Sequence, residues 1–158
     1  MTDTTAPLRD QIRDATKDAM REKDTVRLST LRLMSAAIKD RDIAARAADR
    51  CGGIDDGEIL SILTKMVKQR EEAAKTYDDN GRPELAERER SEIDVVRGFM
   101  PTPMTADEIE VAVNKAVETT GATCLKDMGK VMGQLKSGYA GRIDMGKAGA
   151  AVKARLCS

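Results

Sequence analysis

Apolar residues recur along this chain at three- and four-residue intervals, and no segment sustains strict alternation. Leu8, Ile12, Ala15 and Ala19 mark a first helix that opens at Thr5-Ala6-Pro7 and runs to about Glu22. Proline is tolerated in that first turn because the N–H it lacks has no helical partner anyway. A second helix is expected after Asp24, with Val26, Leu28, Leu31, Met34, Ile38 and Ala45 towards the core, running to about Ala48 before Cys51-Gly52-Gly53. Asp55 and Glu58 have capping-box spacing. They precede a third helix lined by Ile59, Ile62, Leu63, Met66, Ala73 and Tyr77 and closed by Asn80-Gly81. Pro83 restarts the chain into a fourth, carrying Leu85, Ala86, Glu89, Ile93, Val96 and Phe99.

Met100-Pro101-Thr102-Pro103 interrupts the pattern, since proline removes a donor and pushes the preceding residue to extended backbone. Residues 101–104 are therefore expected to link a domain of residues 1–100 to one of residues 105–158. Thr105-x-x-Glu108 is a second capping box, opening a helix through Ile109, Val113, Ala116 and Val117 that Thr120-Gly121 ends. A sixth helix is expected over about Leu125 to Lys136, a glycine-bearing loop over Ser137 to Gly141, and a seventh helix over about Met145 to Arg155. Asp144 is the natural cap of the seventh, and Lys153 and Arg155 complement the dipole at its end. The expected fold is all-α, with about four helices in the N-terminal domain and three in a small C-terminal one.

Composition agrees. The 158 residues suffice for one or two small domains that bury roughly two-thirds of the unfolded surface. Hydrophobic residues make up 41% and charged residues 34%, with Phe99, Tyr77 and Tyr139 the only aromatics, which suits helices packed by Ala, Leu and Met rather than a β-sandwich. Nine methionines suggest an adaptable core. Cys51, Cys124 and Cys157 are odd in number and widely spaced, so reduced thiols are expected and no disulfide framework. No apolar run approaches the roughly 18 residues of a membrane span, and Thr2-Asp3-Thr4-Thr5 begins no signal-peptide core. The expectation is a cytoplasmic protein that does not meet a membrane. Charge adds one asymmetry: from Lys126 to Ser158 there are seven cationic and two acidic side chains, in a chain of formal net charge zero. A terminal segment of that sign points to an anionic partner.

Chemistry is mostly excluded. With no histidine, the commonest general base and the Ser-His-Asp and Cys-His pairs are absent. No phosphate-binding GxxxxGK[ST] loop occurs. Gly129-x-x-x-Gly133 reads either as close helix packing or as bare backbone that admits a phosphate or ribose beside Lys126 and Lys130. Glu89 and Glu92 share a helix face, but acid–base work requires desolvation, which this charge-rich stretch does not signal; Arg82 and Arg88 are the expected salt-bridge partners. The run Arg82 to Asp94 reads as a solvated face. Lys65, Lys68, Gln69, Arg70 and Glu71 form either such a face or a binding strip, with Lys68 and Tyr77 accessible from one side; Arg27, Thr30 and Arg32 invite the same two readings. In Gly141-Arg142-x-Asp144, glycine permits a positive-φ turn before a helix. Asp144 then serves as cap and partner of Arg142, or Arg142 contacts a phosphate with help from Lys147. No catalytic residue, metal ligand or cofactor is expected.

In order along the chain, these residues resemble the GatB/YqeY family. The matching elements are Thr30-Leu31-Arg32-Leu33 with Ala36-Ala37-Ile38-Lys39, then Lys68-Gln69-Arg70-Glu71, Tyr77, Gly81-Arg82, Leu85-Ala86, Glu89, Glu92 and Phe99-Met100-Pro101. In the back part they are Met128-Gly129-Lys130-Val131-Met132, Gly141-Arg142-x-Asp144 and Val152-Lys153. The resemblance implies a helical domain followed by one similar to the tail of the GatB component of aspartyl/glutamyl-tRNA amidotransferase, which helps hold tRNA. It thereby implies tRNA or another structured RNA as partner, with Lys126, Lys130, Lys136, Arg142 and Lys147 as candidate contacts. The family-level activity is glutamine-dependent carbon–nitrogen ligation. This chain lacks the large catalytic cradle of the GatB component and the Ser-Ser-Lys machinery of its amidase partner, so an accessory role without catalysis by the chain alone is expected. With so few aromatics, RNA recognition would rest on shape and backbone. The alternative is a protein-interaction module, in which the N-terminal helices, with Arg32, Lys68, Arg70 and Tyr77, dock a synthetase or amidotransferase complex.

Overall fold

The computed structural model describes residues 6–139 and 141–157. Thr5 and Ala140, which belong to the expected helix opening and to the expected glycine loop, lie outside the described residues, as do Thr2 to Thr4. Every regular element among the described residues is helical, so the fold is all-α. The chain divides into two compact units, Met1–Met100 and Pro101–Ser158.

In the first unit, α1 spans Leu8–Glu22, α2 Thr25–Ala47, α3 Asp56–Asp79 and α4 Pro83–Arg97. Each start has a local cause. Pro7 precedes α1, Asp24 caps α2 by accepting from the Arg27 amide at 3.0 Å, Asp55 and Glu58 close a reciprocal capping box on α3, and Pro83 occupies the first turn of α4. The Asp24 and Asp55–Glu58 contacts satisfy amides that the first helical turn leaves without partners, whereas proline has no N–H to satisfy there. Between α1 and α2 the chain turns at Lys23, which adopts a left-handed conformation and donates its N–H to Met20 O. α1 pairs with α2 and α3 with α4, and α2 also packs on α4.

The buried face of α1 is Leu8, Ile12, Ala15 and Ala19, as the periodicity predicts. In α2 the core positions are Thr30, Leu31, Met34, Ile38 and Ala45, while Val26 is exposed and Leu28 only half-buried. Thr30 therefore belongs to the core and not to a polar strip; its hydroxyl donates to Val26 O at 3.0 Å, which removes the cost of burying it. In α3 the buried stripe turns through Val67 and Ala74, leaving Ile62, Ala73 and Tyr77 partly covered, and in α4 Leu85 is exposed. A helix that meets neighbours on two sides buries a stripe that drifts around its axis, which a single 3.6-residue template does not anticipate.

One carboxylate fixes the α2–α3 connection. Asp42 accepts from both terminal nitrogens of Arg9 on α1 (Nη2 at 3.0 Å) and from the Ile54 amide at 3.0 Å. Gly53, at φ 76°, makes room for it: a Cβ there would lie 2.5 Å from Asp42 Oδ1.

In the second unit, α5 spans Ala106–Thr120, a single 3-10 turn Leu125–Asp127, α6 Met128–Gly138 and α7 Met145–Leu156. Each of the three helices packs on the other two around Ile109, Val113, Ala116, Val131, Leu135 and Val152. Thr105 and Glu108 form the expected capping box, and Asp144 caps α7 by accepting from the amides of Gly146 at 2.8 Å and Lys147 at 3.1 Å. The sixth helix begins and ends later than its sequence pattern suggests. Asp127 accepts from the Thr123 amide at 3.1 Å, which draws residues 125–127 into a tighter turn. At the other end Ser137 and Gly138 remain helical, because Tyr139 continues the ladder to Leu135 O at 3.0 Å and packs against the core.

The Arg9 guanidinium, followed by the Ile54 amide, holds the Asp42 carboxyl at about 2, against an ordinary value of 3.8. A depressed folded-state value means that the contribution of Asp42 is complete above the ordinary value and is lost as pH falls through the folded one. Asp42→Asn should therefore lower stability near pH 7 by about 1–3 kcal/mol. In circular-dichroism melts, that gap between variant and parent should shrink when both are compared near pH 2.

Candidate nucleic-acid interface

The four residues of the N-terminal strip do not form one surface. Lys68 and Tyr77 are nine residues apart on α3, which places them about 180° apart around the helix, so they are not accessible from the same side. Arg70 shares the Tyr77 face but is turned inward. Its Nε donates to Glu92 Oε2 on α4 at 3.0 Å and Nη1 donates to Met66 O at 3.4 Å, with the Arg70 and Glu92 side chains only 14% and 12% exposed. Arg88 approaches the other carboxylate oxygen at 3.6 Å. Glu92 is thus a buried structural anion and not part of a solvated Glu89–Glu92 pair. Arg88 is its partner as expected, but Arg70 takes the place foreseen for Arg82. Arg32 and Lys68 remain exposed and make no hydrogen bond or ion pair among the described residues.

The Gly141-Arg142-x-Asp144 constellation is also committed internally. Gly141 adopts φ 74°, as the turn requires. Asp144 occupies the first amides of α7, so that helix start is already neutralised by a carboxylate. The arginine fork does not go to Asp144. Arg142 Nε donates to Thr102 O at 3.1 Å, Nη2 lies 3.9 Å from Glu108 Oε1, and the Met104 amide donates to Arg142 O at 3.0 Å. Arg142 thereby straps residues 102–104 onto the tail bundle, a role its sequence neighbours do not signal because the partners lie about forty residues upstream.

The lysines behave differently. Lys126, Lys136 and Lys147 are exposed and make no side-chain hydrogen bond or ion pair among the described residues, and Lys130 has only a loose contact with Asp127 at 3.8 Å. On α6, Val131 and Leu135 face the core, so Gly129 and Gly133 face outward; a Cβ at either would meet nothing within 4 Å. Close helix packing therefore does not account for these glycines. Gly133 lies midway between Lys130 and Lys136, each about 60° away around the axis, and Gly129 lies within the same arc. Lys147 is set apart: it borders a groove between α5 and α7 floored by Ile109, Val113 and Ala151, where Arg155 Nε donates to Asn114 Oδ1 at 3.2 Å. Charge is segregated within the unit. Asp107, Glu108, Glu110 and Glu118 are on α5, whereas every cation except Lys115 lies beyond it.

Removing Arg70 leaves Glu92 buried with only the longer Arg88 contact. Arg70→Ala is expected to cost about 2–3 kcal/mol in urea unfolding, while Lys68→Ala, at an exposed and unpaired position, should stay within about 0.5 kcal/mol.

Comparison with known proteins supports the family resemblance. The chain is 30% identical over 95 residues to altered inheritance of mitochondria protein 41, mitochondrial, of Lachancea thermotolerans, covering 60% of this chain and 49% of that protein. The protein of the same name from Vanderwaltozyma polyspora is 27% identical over 71% of this chain and 62% of its own length. That from Saccharomyces cerevisiae is 23% identical over 75% and 65%. The chain thus spans about half to two-thirds of the length of the curated relatives it matches, and their names place those proteins in mitochondria. No helix among the described residues is long and apolar enough to cross a membrane. The model of the Yqey-like protein family matches residues 9–156, nearly the whole of the chain, and the chain belongs to that family.

Proposed function

We propose that this protein is a non-enzymatic RNA-binding accessory factor that grips structured RNA such as tRNA through the outer face of α6. The observation that carries this reading is the bare glycine backbone of Gly129 and Gly133 between Lys130 and Lys136, one turn beyond Lys126. An exposed helical glycine costs roughly 0.5–1 kcal/mol relative to alanine, and here no packing offsets that cost. A surface without side chains lets a sugar–phosphate backbone approach the helix closely, and the flanking ammonium groups meet the phosphates. Backbone recognition of this kind suits a chain with three aromatics, which offers little for base stacking. The setting in aminoacyl-tRNA metabolism is supported by the likeness of the tail motifs to those of the GatB component of the amidotransferase, and is an analogy at the level of fold. A reducing compartment, the cytoplasm in this reading, suits three exposed free cysteines. Arg142 contributes by holding residues 102–104 and not by touching RNA.

Two variants separate this reading from a purely structural role of the face. Gly129→Ala with Gly133→Ala should raise stability by about 1–2 kcal/mol and yet weaken tRNA binding, a combination that destabilisation cannot produce. Lys130→Ala with Lys136→Ala should lower the salt dependence of log K by about two, one for each phosphate no longer neutralised. Filter-binding titrations of tRNA over a salt series read both. Unchanged affinity and slope in both variants would remove α6 as the interface.

A further inference from the structure

Helix α2 carries two apolar faces, and the core of its unit covers one of them. Leu31, Met34 and Ile38 are buried, while Val26, Leu33 and Ile43 on the far side are 41%, 51% and 57% exposed. With Ala36 and Ala47 they occupy five of the seven positions 26, 29, 33, 36, 40, 43 and 47, a three-and-four alternation along almost the whole helix that Ser29 and Asp40 interrupt. That spacing is the seam by which one helix packs along another. Scattered exposed leucines need no explanation, but an aligned stripe of this length marks an interaction surface.

Charge identifies the kind of partner. Arg32, Lys39 and Arg46 each precede a seam position by one residue and so form a basic edge along the stripe. Arg32 and Lys39 make no hydrogen bond or ion pair among the described residues. Arg88 of α4 adds to the same edge, since it and Arg32 both line a groove of about 410 Å³ that also contains Leu28 and Leu33. The acid in that groove, Glu92, is already held by Arg70 and Arg88, and Asp42 is held by Arg9, which leaves Asp40 as the one seam acid. In an antiparallel pair of α2 with its own copy, the Arg32–Lys39–Arg46 edges would face each other, so that pairing is opposed by like charge, and in a parallel pair the basic edge would meet only Thr30, Ala37 and Ala44 and find no acidic partner. A nucleic acid would neutralise the edge but gain nothing from covering Val26, Leu33 and Ile43.

We propose that the outward face of α2 docks an amphipathic helix of another protein, one whose apolar stripe is bordered by aspartate and glutamate. The apolar seam supplies the adhesion, and the basic edge selects acidic over basic helices and fixes the direction of approach. This surface belongs to the first unit and does not depend on the RNA reading of the second.

A direct probe is a synthetic helical peptide of about three heptads with leucine at the two seam positions and glutamate on both flanks, set against the same peptide with lysine flanks. In amide-resonance titrations of the full chain at low salt, the glutamate peptide should shift residues along the 26–47 seam and the lysine peptide should not. Added salt should weaken the binding severalfold. Leu33→Glu with Ile43→Glu should reduce it at least about tenfold without lowering the melting temperature, since both side chains are largely outside the core. Arg32→Glu with Lys39→Glu should transfer the preference to the lysine peptide. Failure of the glutamate peptide to shift α2, or equal shifts with both peptides, overturns the proposal. So does a concentration-dependent dimer lost in Leu33→Glu, which would assign the face to a second copy, or displacement of the same resonances by tRNA alone, which would assign it to nucleic acid.

Discussion

The Asp42 carboxylate meets groups from three parts of the first unit: the guanidinium of Arg9 on α1, its own helix α2, and the Ile54 amide ahead of α3. This meeting ties α1 to the start of α3, two helices that otherwise share only a limited interface, and it adds a polar link to the packing of α2 on α4. The carboxylate joins the start of the chain to the loop that launches the next hairpin, and the loop can approach it only because residue 53 has no side chain. The core around it is aliphatic, with Ile12, Leu31, Met34, Ile59 and Leu63 fully buried and alanines at the points of closest approach. Ala15, Ala19 and Ala86 are fully buried, so helices approach closely without aromatic filling. A close-packed interior of this kind leaves many surface positions with no structural task, and those are the positions on which recognition can be built.

Much of the architecture could be read from the sequence, for a local reason. Helix starts are decided within four residues, so Asp24, the Asp55–Glu58 and Thr105–Glu108 boxes and Asp144 announce themselves. Every regular element among the described residues is helical, which leaves few ways for periodicity to mislead. Core faces were less complete. Val67, Ala74 and Glu92 are buried because a second helix arrives from the side, and nothing in α3 or α4 alone reports that arrival.

The site was harder for the same reason. Arg70 and Glu92 are 22 residues apart and Arg142 and Thr102 are 40 apart, so neither pairing has a spacing signature. In the sequence Arg70 reads as part of a solvated face or a binding strip and Arg142 as a partner of Asp144 or a phosphate contact, and both are used as braces to other residues in the fold. The outward glycines of α6 illustrate the reverse case. Gly129 and Gly133 fit both helix packing and ligand approach until the positions of Val131 and Leu135 establish which way the helix faces. The lysines of the tail are exposed, as side-chain ammonium groups without buried partners remain at the surface in any arrangement.

The strap formed by Arg142 also sets an order of events during synthesis. The N-terminal unit has all its own contacts within the first hundred residues, so it can fold as it emerges from the ribosome, as N-terminal domains generally do. Residues 102–104 cannot be fixed then, because the arginine that holds them is made 40 residues after Thr102. Until α6 is complete and the turn at Gly141 has formed, the tail is an incomplete three-helix bundle that exposes Ile109 and Val113 of α5. The acidic side chains of α5 are then its main protection against premature association.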